Sequence, residues 1–200
     1  MDSDMSNEHA QRVLTAALVI SPLYLAAPSR GLRENLQNPA MLEAWPLADA
    51  ASARGLATLR GGADTAEQLA HDHLYLYTGV SAPLAQPYES PYFSSDGLVM
   101  DERAAQVRAY YARLGFKAPD ARYPDDHIGL EIAFLAECAR AINNGQDSAA
   151  ELLRGFLDEH LSTFAPQVCE ATRSHATTAI YRALPDLTQG LIDSAYDLAS

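Results

Sequence analysis

Ile128, Ile132, Leu135, Ala139 and Ile142 recur every three or four residues, the period of one face of an α-helix and not of a strand. A segment patterned this way buries one side and wets the other. The same period returns in Ala10, Val13, Ala17 and Ile20, widened by Leu14 and Leu18, and in Ala66, Leu69, His73 and Leu76. It returns again in Ala104, Val107, Tyr111 and Leu114, through Leu152 to Phe164, and in Leu187, Leu191, Ala195 and Leu198. Only Leu-Tyr-Leu-Tyr-Thr at 74–78 also suits a strand, and no second strand of comparable quality exists to pair with it. The chain is therefore predicted to be all-α, a single-domain bundle of about eight to ten helices packed by ridges into grooves. Its 200 residues suffice to bury roughly 70% of the surface an unfolded chain exposes, and 1–200 is read as one domain.

Punctuation sets the expected boundaries. Ser21-Pro22 and Asn38-Pro39 read as caps followed by proline at the first helical position. Asp64 or Thr65 is suited to cap the segment holding His73, and Asp101 the one that ends at Gly115. Pro166 is expected to halt a helix and Pro185 to divide the last two.

Fourteen Lys and Arg stand against 26 Asp and Glu, a formal charge of −12. Binding a phosphate backbone requires clustered cations, so nucleic acid is not an expected partner. The same field favours a basic peptide. Cys138 and Cys169 have no Cys-x-x-Cys spacing, which leaves a zinc ribbon or redox pair without support and fits reduced thiols in a cytosolic protein. The acidic opening, Met-Asp-Ser-Asp-Met-Ser-Asn-Glu, is the reverse of a signal peptide's charged start. The most apolar run, Val13 to Ile20, is far short of the ~20 residues that span a bilayer. Neither export nor direct membrane insertion is expected.

The helical pattern breaks at Gly79, and a loop follows with Pro83, Pro87 and Pro91 and with Tyr88 and Tyr92 around a single carboxylate, Glu89. Each proline fixes its own φ and restricts the residue before it, so this loop should be stiff. It can be a brace, with the tyrosines covering helix ends and Glu89 capping a helix or pairing with an arginine, or it can be a binding element. About thirty residues on, Tyr123-Pro-Asp-Asp-His-Ile-Gly-Leu-Glu131 opens another helix, where carboxylates suit the exposed backbone donors and the positive dipole end. Of Asp125 and Asp126, one is expected to cap and the other to be solvated.

Leu76-Tyr77-Thr78-Gly79, Pro87-Tyr88-Glu89-Ser90 with Tyr92, and Pro124-Asp125-Asp126-His127-Ile-Gly-Leu-Glu131, in this order and separation, resemble the TorD/DmsD/NarJ family of cytoplasmic chaperones that mature molybdenum-containing redox enzymes. Gln86 stands where the family commonly has a first proline, and Pro91 where it has a small β-branched residue; both bear on the shape of the loop. The resemblance implies a chaperone and not an enzyme. Its partner would be a molybdoenzyme catalytic subunit, held by an N-terminal, twin-arginine leader peptide until cofactor insertion and export. It also implies that Asp126 and His127 take part in recognising that leader. The peptide-binding set is then Leu76, Tyr77, Pro87, Tyr88, Glu89, Ser90, Tyr92, Asp126 and His127, with Leu76, Tyr77 and Tyr88 against the apolar part and Asp126 and Glu89 facing the arginines. Family members occur as monomers and as homodimers that exchange helices, and both stay open. Guanine nucleotides and the molybdenum cofactor are associated with the family, but no residue here locates such a site, and no bound cofactor is expected.

Other chemistries find less support. His71-Asp72 invites comparison with all-α metal-dependent phosphohydrolases, but further ligands lack recognisable spacing, and an exposed polar pair is the simpler reading. His127 and Glu131 share a helical face, yet two ligands do not make a zinc site. No Gly-x-Ser-x-Gly and no Walker-type loop occurs. A helical adaptor unrelated to molybdoenzymes is the remaining alternative.

Overall fold

The computed structural model describes residues 2–79, 82–94, 102–120, 122–146 and 148–200. The N-terminal half comprises α1 (Asp2–Leu25), α2 (Arg30–Leu36), α3 (Pro39–Glu43), α4 (Ala50–Arg60), α5 (Ala66–His73) and the one-turn α6 (Ser90–Phe93). The remainder comprises α7 (Glu102–Arg113), α8 (Ile128–Asn143), α9 (Ser148–Phe156), α10 (Ser162–His175) and α11 (Ala179–Leu198), with π turns at Leu74–Thr78 and Leu157–Leu161. Nine of these eleven segments have seven residues or more and none of the described residues forms a strand, as the apolar periodicity requires.

The longest contact runs between α1 and α8, and α11 packs against α4, α10 and α1. One continuous apolar cluster results. The α1/α8 approach depends on Gly129, where a Cβ would come within 2.7 Å of Leu25 Cγ and 3.1 Å of the Ser21 carbonyl oxygen. At the centre the rings of Tyr24 and Tyr77 lie 5.2 Å apart and those of Tyr77 and Tyr181 5.8 Å. The Tyr24 hydroxyl meets Thr188 Oγ1 at 2.9 Å and the Tyr77 hydroxyl Thr172 Oγ1 at 3.0 Å. Tyr24 and Tyr77 tolerate this position because each polar tip has a partner, whereas the buried Tyr181 hydroxyl has none.

Asn38 and Thr65 cap as expected, Thr65 in a capping box with Gln68; Asp101 lies outside the described residues. Three proline boundaries are corrected. Helix α1 runs through Pro22 to Leu25, and the Ser21 hydroxyl, instead of capping, donates to the Gly129 carbonyl at 2.8 Å. Helix α10 runs through Pro166 and α11 through Pro185. A proline inside a helix costs about 3 kcal/mol. Around Pro185, Ile180, Leu184, Leu187 and Leu191 are all buried, each contributing about 1.5–3 kcal/mol, so packing outweighs the lost hydrogen bond. No helix among the described residues is long and apolar enough to cross a membrane.

Candidate functional site

The last carbonyls of a helix have no partner within it, and at the end of α5 the loop supplies them. After the π turn, Gly79 turns the chain at φ 71° and ψ 153°, a region open essentially to glycine alone. A Cβ there would meet Pro83 N at 2.8 Å. The chain then folds back, with Leu84 N–H donating to the Tyr75 carbonyl at 3.0 Å and Ala85 N–H to the Leu76 carbonyl at 2.8 Å. Gly79→Ala is expected to destabilise the protein by about 1–3 kcal/mol and to speed proteolytic cleavage within 82–89; an unchanged urea midpoint and cleavage rate would contradict this reading of the turn.

The other end of the loop is fastened to the start of α8. Ile128 N–H donates to the Pro87 carbonyl at 2.8 Å and Glu89 N–H to the Asp126 carbonyl at 2.9 Å, with Tyr88 and His127 facing each other in an antiparallel bridge. Asp126 Oδ2 accepts from Ser90 N–H at 2.9 Å and from the Ser90 hydroxyl. The cap of α8 is His127, whose Nδ1 accepts from Gly129 N–H at 3.0 Å. Burial pushes its pKa down to about 3, in keeping with an unprotonated Nδ1. The expectation of one capping and one solvated aspartate is thus corrected: Asp126 is buried and ties down the loop, while Asp125 pairs with Arg108 at 2.6 Å.

Beneath the loop, Glu89 is sealed from solvent. Its carboxylate accepts from Arg103 at 2.8 Å, from His160 Nδ1 at 3.0 Å and from Thr163 Oγ1 at 3.2 Å, which fastens the loop to α7 and α10 as well. Glu131 lies nearby with both oxygens buried and unpartnered, as is Oδ1 of Asp126. Burial first, then the charges of Glu89 and Asp126, hold the Glu131 carboxyl well above the usual range, against a smaller opposing effect of Arg103. Burial likewise raises Asp126, although its bonds from Ser90 pull the other way.

The three motif segments therefore meet, as closed packing and not as an open cradle. Leu76, Tyr77, Pro87, Glu89, Ser90, Asp126 and His127 are buried, so in this conformation none of these side chains can touch a peptide, contrary to the direct-contact roles expected of them. Tyr88 and Tyr92 are half-buried; Tyr88 packs edge-on against His127, and the Tyr92 hydroxyl donates to the Gln86 carbonyl at 2.9 Å. What reaches the surface is a set the sequence reading passed over: Leu74, Tyr75 and Leu84, 39%, 43% and 47% exposed. With Leu69, His73 and Leu76 turned inward, helical geometry leaves Leu74 and Tyr75 outside. Apolar residues beyond the buried stripe were the available signal. Tyr75 packs against His71 with centroids 4.5 Å apart and the rings tilted by 38°, and His71 lines an acidic cleft of about 380 Å³ with Asp64 and Glu67.

Asp72 is not an exposed polar residue. It is buried and accepts from the backbone N–H groups of Thr177 and Thr178 at 3.0 and 2.9 Å and from the Thr178 hydroxyl at 2.6 Å, fixing the turn that leads into α11. With its oxygens occupied and no group of three or more candidate ligands among the described residues, the phosphohydrolase alternative is not favoured.

The family described as nitrate reductase delta subunit matches residues 34–170. The chain is 28% identical over 135 residues to a protein named "Chaperone protein TorD" from Vibrio cholerae serotype O1, Classical Ogawa strain, covering 64% of this chain and 61% of that one. The protein of the same name from the El Tor Inaba strain is 27% identical over 140 residues, 67% of this chain and 63% of that one. The match thus spans about three fifths of these relatives' length. A solved structure from Archaeoglobus fulgidus described as a redox enzyme maturation protein superposes with a TM-score of 0.52 at 16% identity, covering 90% of this chain and 93% of that one; at that identity the likeness is one of fold.

Proposed function

The chain belongs to the nitrate reductase delta subunit family, which includes TorD-type chaperones, and on that premise we propose that it is a cytoplasmic, non-enzymatic chaperone for the assembly of a molybdopterin-dependent oxidoreductase. It acts as one TorD-like domain over residues 1–200 and binds the N-terminal, twin-arginine leader of the catalytic subunit before export. The observation that carries the reading is the continuity of an apolar patch with an acidic cleft along α5. Glu67, His71 and Tyr75 follow one another at four-residue spacing, so Glu67 in the cleft and Tyr75 in the patch lie about 12 Å apart along one face, with His71 between them. The apolar part of the leader lies on Leu74, Tyr75 and Leu84, and its arginines reach Glu67. The half-exposed rings of Tyr88 and Tyr92 border the loop. Glu89, Ser90, Asp126 and His127 act indirectly, by holding the loop that presents Leu84. The field of a chain at −12 steers such a basic peptide inward.

Anisotropy titration of a labelled twin-arginine leader tests this. Tyr75→Ala combined with Leu84→Ala should weaken binding by about 10–100-fold, Glu67→Gln by less, and added salt should weaken it further because exposed charges are screened. Unchanged affinity in both variants sinks the placement; failure of any leader to bind the wild type sinks the function.

A further inference from the structure

A second surface has the shape and charge of a docking site. Leu18, Pro22 and Leu25 of α1 are spaced four and three residues apart, and Ala133, Ala136 and Arg140 of α8 three and four. Those intervals place each trio along one side of its helix, so the two lines wall a groove of about 400 Å³, lined also by Phe116 and Pro119 from the segment after α7. The alanines keep its floor low. Leu18, 53% exposed, is the kind of residue that a third helix would cover.

Charge selects the occupant. Lys117, the chain's one lysine, stands at the groove beside Phe116 and has no acidic partner among the described residues. Across the groove Arg140 is already paired with Glu137. The rim therefore carries one uncompensated positive charge on a chain whose net charge is −12. A basic segment would be repelled there, and a wholly apolar one would desolvate the ammonium without replacing its hydrogen bonds. A carboxylate would supply them.

We propose that the α1/α8 groove docks an amphipathic helix of a partner protein, with its apolar stripe on Leu18, Pro22 and Leu25 and an acidic residue against Lys117. Such a partner is opposite in charge to the peptide assigned to α5, and this proposal does not rest on that assignment. The mode is that of a helix laid in a groove.

The test uses the full chain and two model helical peptides with the same Leu stripe, one ending in Glu and the other in Lys, with dodecanoate as a third probe. Backbone amide shifts near Leu18 and Leu25 in NMR titrations locate binding. The Glu peptide should bind at least tenfold tighter than the Lys peptide, and Lys117→Glu should reverse that order. Ala133→Trp, which fills the groove, should remove binding of both, as should Leu18→Asp, with circular dichroism confirming that each variant is folded. Equal affinities, indifference to Lys117→Glu, shifts confined to Leu74 and Tyr75, or no binding at all would overturn the proposal. Dodecanoate binding in the groove where the Glu peptide does not would overturn it in favour of a lipid-like anion.

Discussion

Glu89→Ala should lower the unfolding free energy by about 3–5 kcal/mol, the range for removing one partner of a buried ion pair. The side chain is fully enclosed and its two oxygens accept from Arg103, His160 and Thr163. Alanine would leave a largely buried guanidinium without this partner and a buried imidazole without its acceptor. Glu89→Gln keeps one acceptor and should lose less. Because Glu89 also fixes the loop over α7 and α10, the alanine variant should expose 82–89 to protease well below the unfolding transition. Urea titration with limited proteolysis measures both. A stability loss under about 1 kcal/mol, the ordinary value for an exposed pair, would mean that the carboxylate is not sealed in solution.

The brace reading of Glu89 and the binding reading of the loop were both written in the sequence, and the structure shows why residue types alone could not separate them. A carboxylate flanked by prolines and tyrosines suits a wall or a cradle; the decision lies with Arg103 and His160, 14 and 71 positions away. Helices were legible wherever an apolar stripe ran at full period, as from Ile128 to Ile142, because burial of that face dominates their energetics. Proline boundaries were misjudged at 22, 166 and 185, where tertiary packing outweighs a local rule. The contact role read for Leu76 and Tyr77 conflicts with their burial for a related reason. A short motif names residues that matter to the family, but the period through Leu69 and His73 already turned them inward and left Tyr75 as the outward ring. Asp72 illustrates the limit: its acceptor role at the turn into α11 depends on residues more than a hundred positions downstream, which no local pattern announces.

Glu131→Gln should stabilise the protein, and by an amount that grows with pH. Glu131 is wholly buried, and neither oxygen has a hydrogen-bond partner. Glu89 and Asp126 oppose its charge, and Arg103 offsets them only in part. In the unfolded chain this carboxyl releases its proton near the ordinary value of 4.5, whereas in the folded protein it holds the proton to a higher pH. Between those two points the folded state binds the extra proton, so stability falls as pH rises from about 4.5 toward the folded pKa and then levels. Asp126, also raised, adds a slope of the same sign from its own ordinary value of 3.8. The glutamine at 131 has no charge to bury and removes its share of the slope. Near pH 4 the variant and wild type should therefore be similar, and at pH 7 to 8 the variant should be ahead by about 1–3 kcal/mol, the scale of an unmet buried polar group. For a chain of this size each kcal/mol corresponds to about 2–4 °C in Tm. Urea unfolding at several pH values compares the two curves directly. A difference that stays constant with pH would show that Glu131 titrates as an ordinary carboxylate, and that water or a cation reaches it beneath the loop.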